Sequence, residues 1–397
     1  MDDNGTAIAL HVCTRYQRGG SERRIRDVVA ALPELRHHLL LGAESDVELA
    51  RAQTSAERVS VLPTLLRHVS AKHDLAALRH LRRVLRQDRY DVVVTHQSKA
   101  GALGRLAALG GGPPVVHSLS MASFGPGYSR VESTVFRALE RLLAHRTAAF
   151  CVVGADLAAR FEKVGVPGGK LHVVRSGVPL PSRVTPREEA RRVVGERYGI
   201  APERRLLCYV GSLEARKNVL LLPEVLSQLC SGLSAPPVLL VVGDGPQRAA
   251  IESRVRNLGV EEHVVLTGHL SRPELVGDAI RSADLLLLLS NAEGLPQVLV
   301  QAAAHGTPFV AFDVEGVREV LSLGAAGTAV PLGDVRGVVD AVTAQLSRPD
   351  WLPREPVADL TSWSPDSVRS AYRAVFHNVL SQRGALATSG PVLTPRP

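Results

Sequence analysis

Three runs in this sequence are apolar at every position: VVV at 92–94, VLLVV at 238–242 and LLLLL at 285–289. A strand with one face in water alternates apolar and polar side chains, so an unbroken run needs cover on both faces. Similar short runs recur. We read strands over 7–13, 39–41, 59–62, 91–95, 115–118, 148–153 and 171–175, then over 206–210, 238–242, 264–267, 285–289 and 308–311, with a last one near Ala329. Segments of helical period separate them. Strand and helix in strict alternation predict an α/β chain built on parallel sheets with helices on each face.

The alternation is interrupted once. The stretch VPLPSRVTPREEA at 178–190 is rich in proline and charge, and it reads as a linker between two doubly wound, Rossmann-like domains. The first domain then runs over 1–178 and the second over 179–363. An amphipathic helix over 364–382 opens on Ser364 as cap with Pro365 in its first turn. The end, 383–397, carries Gly, Pro, Ser and Thr and reads as a loose tail.

A net charge of +8 from 47 basic and 39 acidic residues admits nucleic acid, an anionic membrane or a phosphorylated substrate as partner, or only solvated arginine faces. Nucleic acid is disfavoured, because no basic stretch is interleaved with aromatics. The segment 79–86, RHLRRVLR, reads as a helix whose leucines pack inward and whose basic face could rest on anionic lipid. Cys13, Cys151, Cys208 and Cys230 form no CxxC pair, and three of them sit in strand-like runs as small core hydrophobes. With no targeting segment and no apolar run long enough to span a bilayer, a cytoplasmic protein is expected.

Four glycine-containing turns follow strands. Gly19-Gly20-Ser21-Glu22-Arg23 opens a helix after the first strand, where free N–H groups can meet an anion or simply turn the chain. Gly211-Ser212 leads to Arg216-Lys217, two cations that suit a diphosphate or a solvated turn. Gly243-Asp244-Gly245-Pro246 reads as structural, ending one strand tightly and starting a helix. The most specific is SNAEGLPQVLVQA at 290–302: a carboxylate, Glu293, stands beside a helix start. That combination suits a ligand with both hydroxyls and phosphates.

In order along the chain, GGSER, THQSKAGALGRLAA, RSGV, VGSLEARKN, VVGDGP, LTGH and the run from SNAEGLPQ to GVREVL make it resemble the retaining family 4 (group 1) glycosyltransferases of GT-B fold. The resemblance implies a central cleft between two domains, with a nucleotide-sugar donor mainly on the C-terminal one. It implies catalytic roles for Lys217, against the donor diphosphate, and Glu293, against the donor sugar. Donor binding falls to Gly19, Gly20, Ser212, Arg216, Gly294, Leu295, Pro296, Gln297 and Gln301, and the acceptor side to His96, Lys99 and Ser120. The acceptor is expected to be a polysaccharide, a lipid-linked sugar or a small natural product, with a peripheral membrane contact in the lipid case.

Three positions depart from the family pattern. Gln301 replaces the second glutamate of Glu-x7-Glu, Ser212 replaces an arginine, and Ser120 replaces a histidine near the acceptor. These motivate a second reading, a catalytically weak or silent nucleotide-sugar-binding partner of another transferase. An epimerase on the same fold fits the EGLPQVLVQ stretch less well. No DxD occurs, and Asp46-Val47-Glu48 and Asp313-Val314-Glu315 only approach it. No cofactor and no metal is therefore expected. Retention lets the acceptor attack from the face the leaving group departs, so no strong protein base is needed.

Overall fold

The computed structural model describes residues 6–17, 20–125, 128–347, 355–357 and 359–382. Gly19 and the expected tail at 383–397 lie outside them. The chain divides into two compact units, Met1–Gly177 with Pro365–Pro397, and Val178–Ser364.

In the first unit the chain runs β1 (Ile8–Cys13), α1 (Gly20–Ala31), β2 (Arg36–Gly42), α2 (Val47–Gln53), β3 (Arg58–Leu62), α3 (Ala71–Gln87), β4 (Val92–His96), α4 (Ser98–Ala107), β5 (Val115–Leu119), α5 (Arg130–Ala144), β6 (Thr147–Val152), α6 (Ala155–Lys163) and β7 (Leu171–Val173). All seven strands are parallel, in the order β3-β2-β1-β4-β5-β6-β7. The second unit runs α7 (Arg187–Tyr198), β8 (Leu206–Val210), α8 (Leu221–Gly232), β9 (Val238–Val242), α9 (Arg248–Leu258), β10 (Val264–Gly268), α10 (Pro273–Ser282), β11 (Leu285–Leu288), α11 (Gln297–Ala304), β12 (Phe309–Phe312), α12 (Val317–Ser322), β13 (Gly327–Val330) and α13 (Val335–Leu346). Its six strands are also parallel, in the order β10-β9-β8-β11-β12-β13. The last helix, α14 (Pro365–Ser381), packs beside α1 in the first unit.

The unbroken apolar runs are explained by two-sided cover. On β4, Val92 and Val94 enter a core with Val28, Leu32, Tyr372 and Phe376, while Val93 enters the opposite core with Leu81 and Leu103. On β9, Val238, Leu240 and Val242 face one core and Leu239 and Val241 the other. Fully burying each such side chain contributes about 1.5–3 kcal/mol.

Most expected strand ends move by one or two residues, β7 stopping at Val173 where 175 was expected, and two readings shift further. β2 begins at Arg36, three residues before the expected start, because polar His37 is buried by hydrogen bonding rather than exposed. Its Nε2 faces the Leu32 carbonyl at 2.8 Å and must donate there, so Nδ1 accepts from His11 Nε2 at 3.0 Å. His11 Nδ1 in turn accepts from His96 Nε2 at 3.1 Å, giving a row of imidazoles across β2, β1 and β4. The expected linker also ends early, since 187–190 form the first turn of α7, with Glu188 and Glu189 at its positive end. Arg187 and Arg191 hold that turn by donating to Asp284 at 2.8 and 3.4 Å. The buried Asp284 also accepts from Arg205 (3.2 Å) and from the Leu206 N–H (2.7 Å) at the foot of β8.

Candidate functional site

A doubly wound sheet binds ligands outside the carboxyl ends of its strands, where neighbouring strands send their connections to opposite faces. In the second unit that switch lies between β8 and β11. The two loops leaving it are 211–220 and 289–296, and they carry the Gly211–Asn218 turn and the turn read as the most specific in the sequence.

The first loop is anchored by buried Leu213 and Val219. Between them Ala215–Lys217 forms one tight helical turn, closed by Asn218 in the left-handed region (φ 54°). Asparagine tolerates that conformation better than most side chains. The loop lies directly against the turn after β9. The Leu213 N–H donates to the Asp244 carbonyl and the Gln247 N–H to the Leu213 carbonyl, at 3.0 and 2.9 Å. Gly243 (φ 143°) permits this contact, because a Cβ there would sit 1.8 Å from the Gly211 carbonyl oxygen. The Gly243–Pro246 turn therefore supports the loop, as its reading as a structural turn expects.

The second loop is stitched to the first. The Asn291 N–H donates to the Arg216 carbonyl (2.9 Å), and Arg216 Nη1 donates to the Ala292 carbonyl (2.9 Å). Glu293, 7 % exposed, then receives Lys217 Nζ on Oε1 at 2.5 Å and Arg216 Nη1 on Oε2 at 3.1 Å. Burial alone would raise its pKa. The charges of Lys217 and then Arg216, with the Lys217 hydrogen bond, outweigh burial and hold the carboxyl below its usual range. Two cations thus stand against one carboxylate, a net positive point at the switch.

The helix start after Glu293 is held from β12's side. Gly316 (φ 81°) precedes α12, and a Cβ there would lie 2.7 Å from Leu295 Cδ1 and 2.8 Å from Pro296 Cδ. Gly294, Leu295 and Pro296 are buried, and Gln297 and Gln301 are half-buried on α11. No side chain caps α11. Of the residues expected to bind the donor here, Pro296 has no N–H, so it shapes the turn without donating. Ser212 is half-buried, and its carbonyl accepts from the Tyr209 hydroxyl at 3.0 Å.

In the first unit the switch lies between β1 and β4. Gly20 opens α1 beside it. His96 ends the neighbouring strand β4 and Lys99 lies in the first turn of α4, but neither is an open lining group. His96 is 2 % exposed within the imidazole row, and burial pulls its pKa down to about 3, so it is neutral. Lys99 Nζ pairs with Asp74 Oδ1 at 2.5 Å and donates to the His68 carbonyl. Ser120, just past β5, is half-buried. Sequence reasoning missed Gln97 between them. Its backbone (φ 66°, ψ 163°) occupies a region that is essentially glycine's, while its side-chain amide pairs with Arg15 of the β1–α1 loop. Among the described residues no three His, Cys, Asp or Glu side chains are grouped as a metal site.

Two family models match this chain in tandem: "Glycosyl transferase 4-like domain" over 19–177 and "Glycosyl transferases group 1" over 192–355. The chain belongs to the group 1 glycosyltransferases. It is 26 % identical over 289 residues to the Escherichia coli UDP-Gal:alpha-D-GlcNAc-diphosphoundecaprenol alpha-1,3-galactosyltransferase, covering 72 % of this chain and 74 % of that one. It is 32 % identical over 163 residues to the alpha-D-kanosaminyltransferase of Streptomyces kanamyceticus, covering 41 % and 42 %. Anabaena HepE, solved with UDP and glucose, superposes with a TM-score of 0.69 over 95 % of this chain and 98 % of its own, at 16 % identity, which supports the fold. This glycosyltransferase thus has the GT-B architecture, and the loops carrying Lys217 and Glu293 fall inside its group 1 match.

Proposed function

We propose that this glycosyltransferase moves a glycosyl group from a nucleotide-diphosphate sugar to an acceptor hydroxyl, with retention of configuration and without a divalent cation. The observation that carries the reading is the Lys217–Glu293–Arg216 cluster at the β8/β11 switch. Breaking the glycosidic bond leaves positive charge on the anomeric carbon and negative charge on the departing diphosphate. Fixed cations aimed at the leaving group lower that barrier. Lys217 takes the diphosphate, Arg216 supplements it where Ser212 offers no charge, and the Glu293 carboxylate accepts from hydroxyls of the donor sugar. Gln301, an amide, both donates to and accepts from hydroxyls. The acceptor oxygen attacks on the face the diphosphate leaves, and its proton passes to the departing phosphate oxygen.

The E. coli relative is named for a diphosphoundecaprenol acceptor and the Streptomyces one for kanosaminyl transfer. We therefore assign the acceptor to the lipid-linked or polymeric sugars or to small natural products. Four free cysteines, three of them buried, suit a reducing cytoplasm, with peripheral contact at the inner membrane face for a lipid-linked acceptor. A silent donor-binding partner draws no support from these relatives.

Lys217→Ala tests the assignment. Turnover should fall on the order of a hundredfold or more. Donor hydrolysis should persist in EDTA, and the product should keep the donor's anomeric configuration by NMR. Near-normal turnover in the variant, or silence in EDTA, refutes the reading.

A further inference from the structure

Strand β8 reads LLCYV, and Tyr209 is the one residue in it with a side-chain oxygen. It is buried in the core that Leu207, Leu213 and Val219 also build. A phenylalanine would fill that core as well, so the hydroxyl answers a need other than packing, and a buried phenol requires a hydrogen-bond partner. It donates to the Ser212 carbonyl at 3.0 Å, where the strand gives way to the loop of Arg216 and Lys217. Burial, and then the charge of Glu293, push the phenol's pKa up, so it remains a donor.

The next carbonyls of that loop are all held by backbone. Leu213 accepts from the Gln247 N–H (2.9 Å), Glu214 from the Lys217 N–H (2.9 Å), Ala215 from the Asn218 N–H (3.0 Å) and Arg216 from the Asn291 N–H (2.9 Å). The Ser212 carbonyl, at the root, is held instead by the Tyr209 side chain. Gly211 makes room for that bond, since a Cβ there would sit 2.8 Å from the Tyr209 hydroxyl oxygen and 3.2 Å from Cζ. From this root a short path runs through the tight turn Ala215–Lys217 to the Lys217 ammonium on Glu293.

We propose that Tyr209 is a positioning residue for the leaving-group cations: its hydroxyl fixes the Gly211–Ser212 turn and thereby the place of Lys217 and Arg216. The role presupposes that Lys217 meets the donor diphosphate. Buried behind the loop, Tyr209 acts through it rather than on the substrate. Misplacing a catalytic group by about 1 Å can cost on the order of a hundredfold in rate, so a bond at the root of the loop can be read in turnover.

The test is a double-mutant cycle of Tyr209→Phe with Lys217→Ala in the full chain. Turnover is read as nucleoside diphosphate released from whichever of UDP-, GDP-, dTDP- and ADP-glucose the wild type cleaves fastest. Tyr209→Phe alone should lower kcat roughly tenfold, the size of one buried hydrogen bond. The donor KM should move less, because the cations act on charge that develops as the bond breaks. In the Lys217→Ala background the same change should cost no more than about twofold, since the group it positions is gone. Gly211→Ala, which pushes the hydroxyl aside, should match Tyr209→Phe, and the two together should be no worse than either. Full kcat in Tyr209→Phe, an equal loss in both Lys217 backgrounds, as a general loosening of the fold would give, or additive losses with Gly211→Ala would each overturn the proposal. Near-normal turnover in Lys217→Ala, or no release from any of the four donors, sinks the donor reading itself and this role with it. An impaired Lys217→Ala beside a silent Tyr209→Phe sinks only the role of Tyr209.

Discussion

The side-chain amide of Gln97 pairs edge to edge with the backbone of Arg15. The Arg15 N–H donates to Oε1 at 3.1 Å, and Nε2 donates to the Arg15 carbonyl at 2.8 Å. The same residue holds a backbone conformation that costs a non-glycine about 1–3 kcal/mol. Gln97→Ala keeps that strain and loses both bonds; Gln97→Gly loses the bonds and relieves the strain. Urea unfolding should therefore rank wild type above Gly and Gly above Ala, with Ala down by about 1–3 kcal/mol. Ala matching or exceeding Gly would show that the conformation is unstrained.

Lys217 and Glu293 should be energetically coupled. Lys217→Met leaves the buried carboxylate with only Arg216, so the Glu293 pKa should rise from its depressed value. The acid limb of activity should move to higher pH in Lys217→Met, since the carboxylate now protonates earlier. A double-mutant cycle with Glu293→Gln should give a coupling of about 1–3 kcal/mol. Additive effects in that cycle would mean the 2.5 Å contact carries no energy.

Burial depresses the pKa values of His11, His37, His96 and His117, with His96 at about 3, and that of His305 to about 4. The unfolded chain binds protons near the ordinary histidine value of 6.5, the folded chain only well below it. The unfolded state thus holds more protons in that window, so stability rises with pH there. It should be fully present above about pH 6.5 and fall as pH drops toward the folded values, by up to about 1.4 kcal/mol per pH unit for each histidine. Denaturant midpoints at neutral and mildly acidic pH measure this. A flat profile would place protonated imidazoles in the folded core.

Arg105 and Glu140 form a doubly hydrogen-bonded pair with both side chains buried. Glu140→Gln or Arg105→Met should each cost about 3–5 kcal/mol, because one uncompensated charge or donor set remains inside. Replacing both with apolar residues of similar volume should recover much of that loss. A double variant as unstable as either single one would show that the geometry of the pair, not charge balance, holds α5 on α4.

Gly316→Ala should disturb the Glu293 loop from a distance. It forces a Cβ into Leu295 and Pro296 at a positive φ. A destabilisation of about 1–3 kcal/mol with a weakened donor KM is expected. An unaffected KM would detach β12's connection from the site.

The strands were legible because two-sided burial removes polar residues from them, and Val92 to Val94 or Val238 to Val242 carry that signature without help from elsewhere. The start of β2 was not, since His37 looks like a loop residue until His11, on another strand, supplies its partner. The same holds for the motif THQSK. The resemblance implies that His96 and Lys99 line the acceptor side, yet His11 and Asp74 already occupy them, and those partners are remote in sequence. Lys217 and Glu293 sit in recognisable turns, but that they meet depends on which strands are neighbours. Gly316 and Gln97 gave no distinct signal, because a clash or a strained dihedral exists only once the second loop is in place.

The Asp284 hub has a practical corollary for dissection. The group 1 match begins at residue 192, after Arg187 and Arg191 have passed. A fragment cut at that boundary would strip two of the guanidinium groups around a buried carboxylate and expose the foot of β8 to an unbalanced charge. Excising the second unit as an autonomous piece should therefore begin at Val178, where the compact unit itself starts.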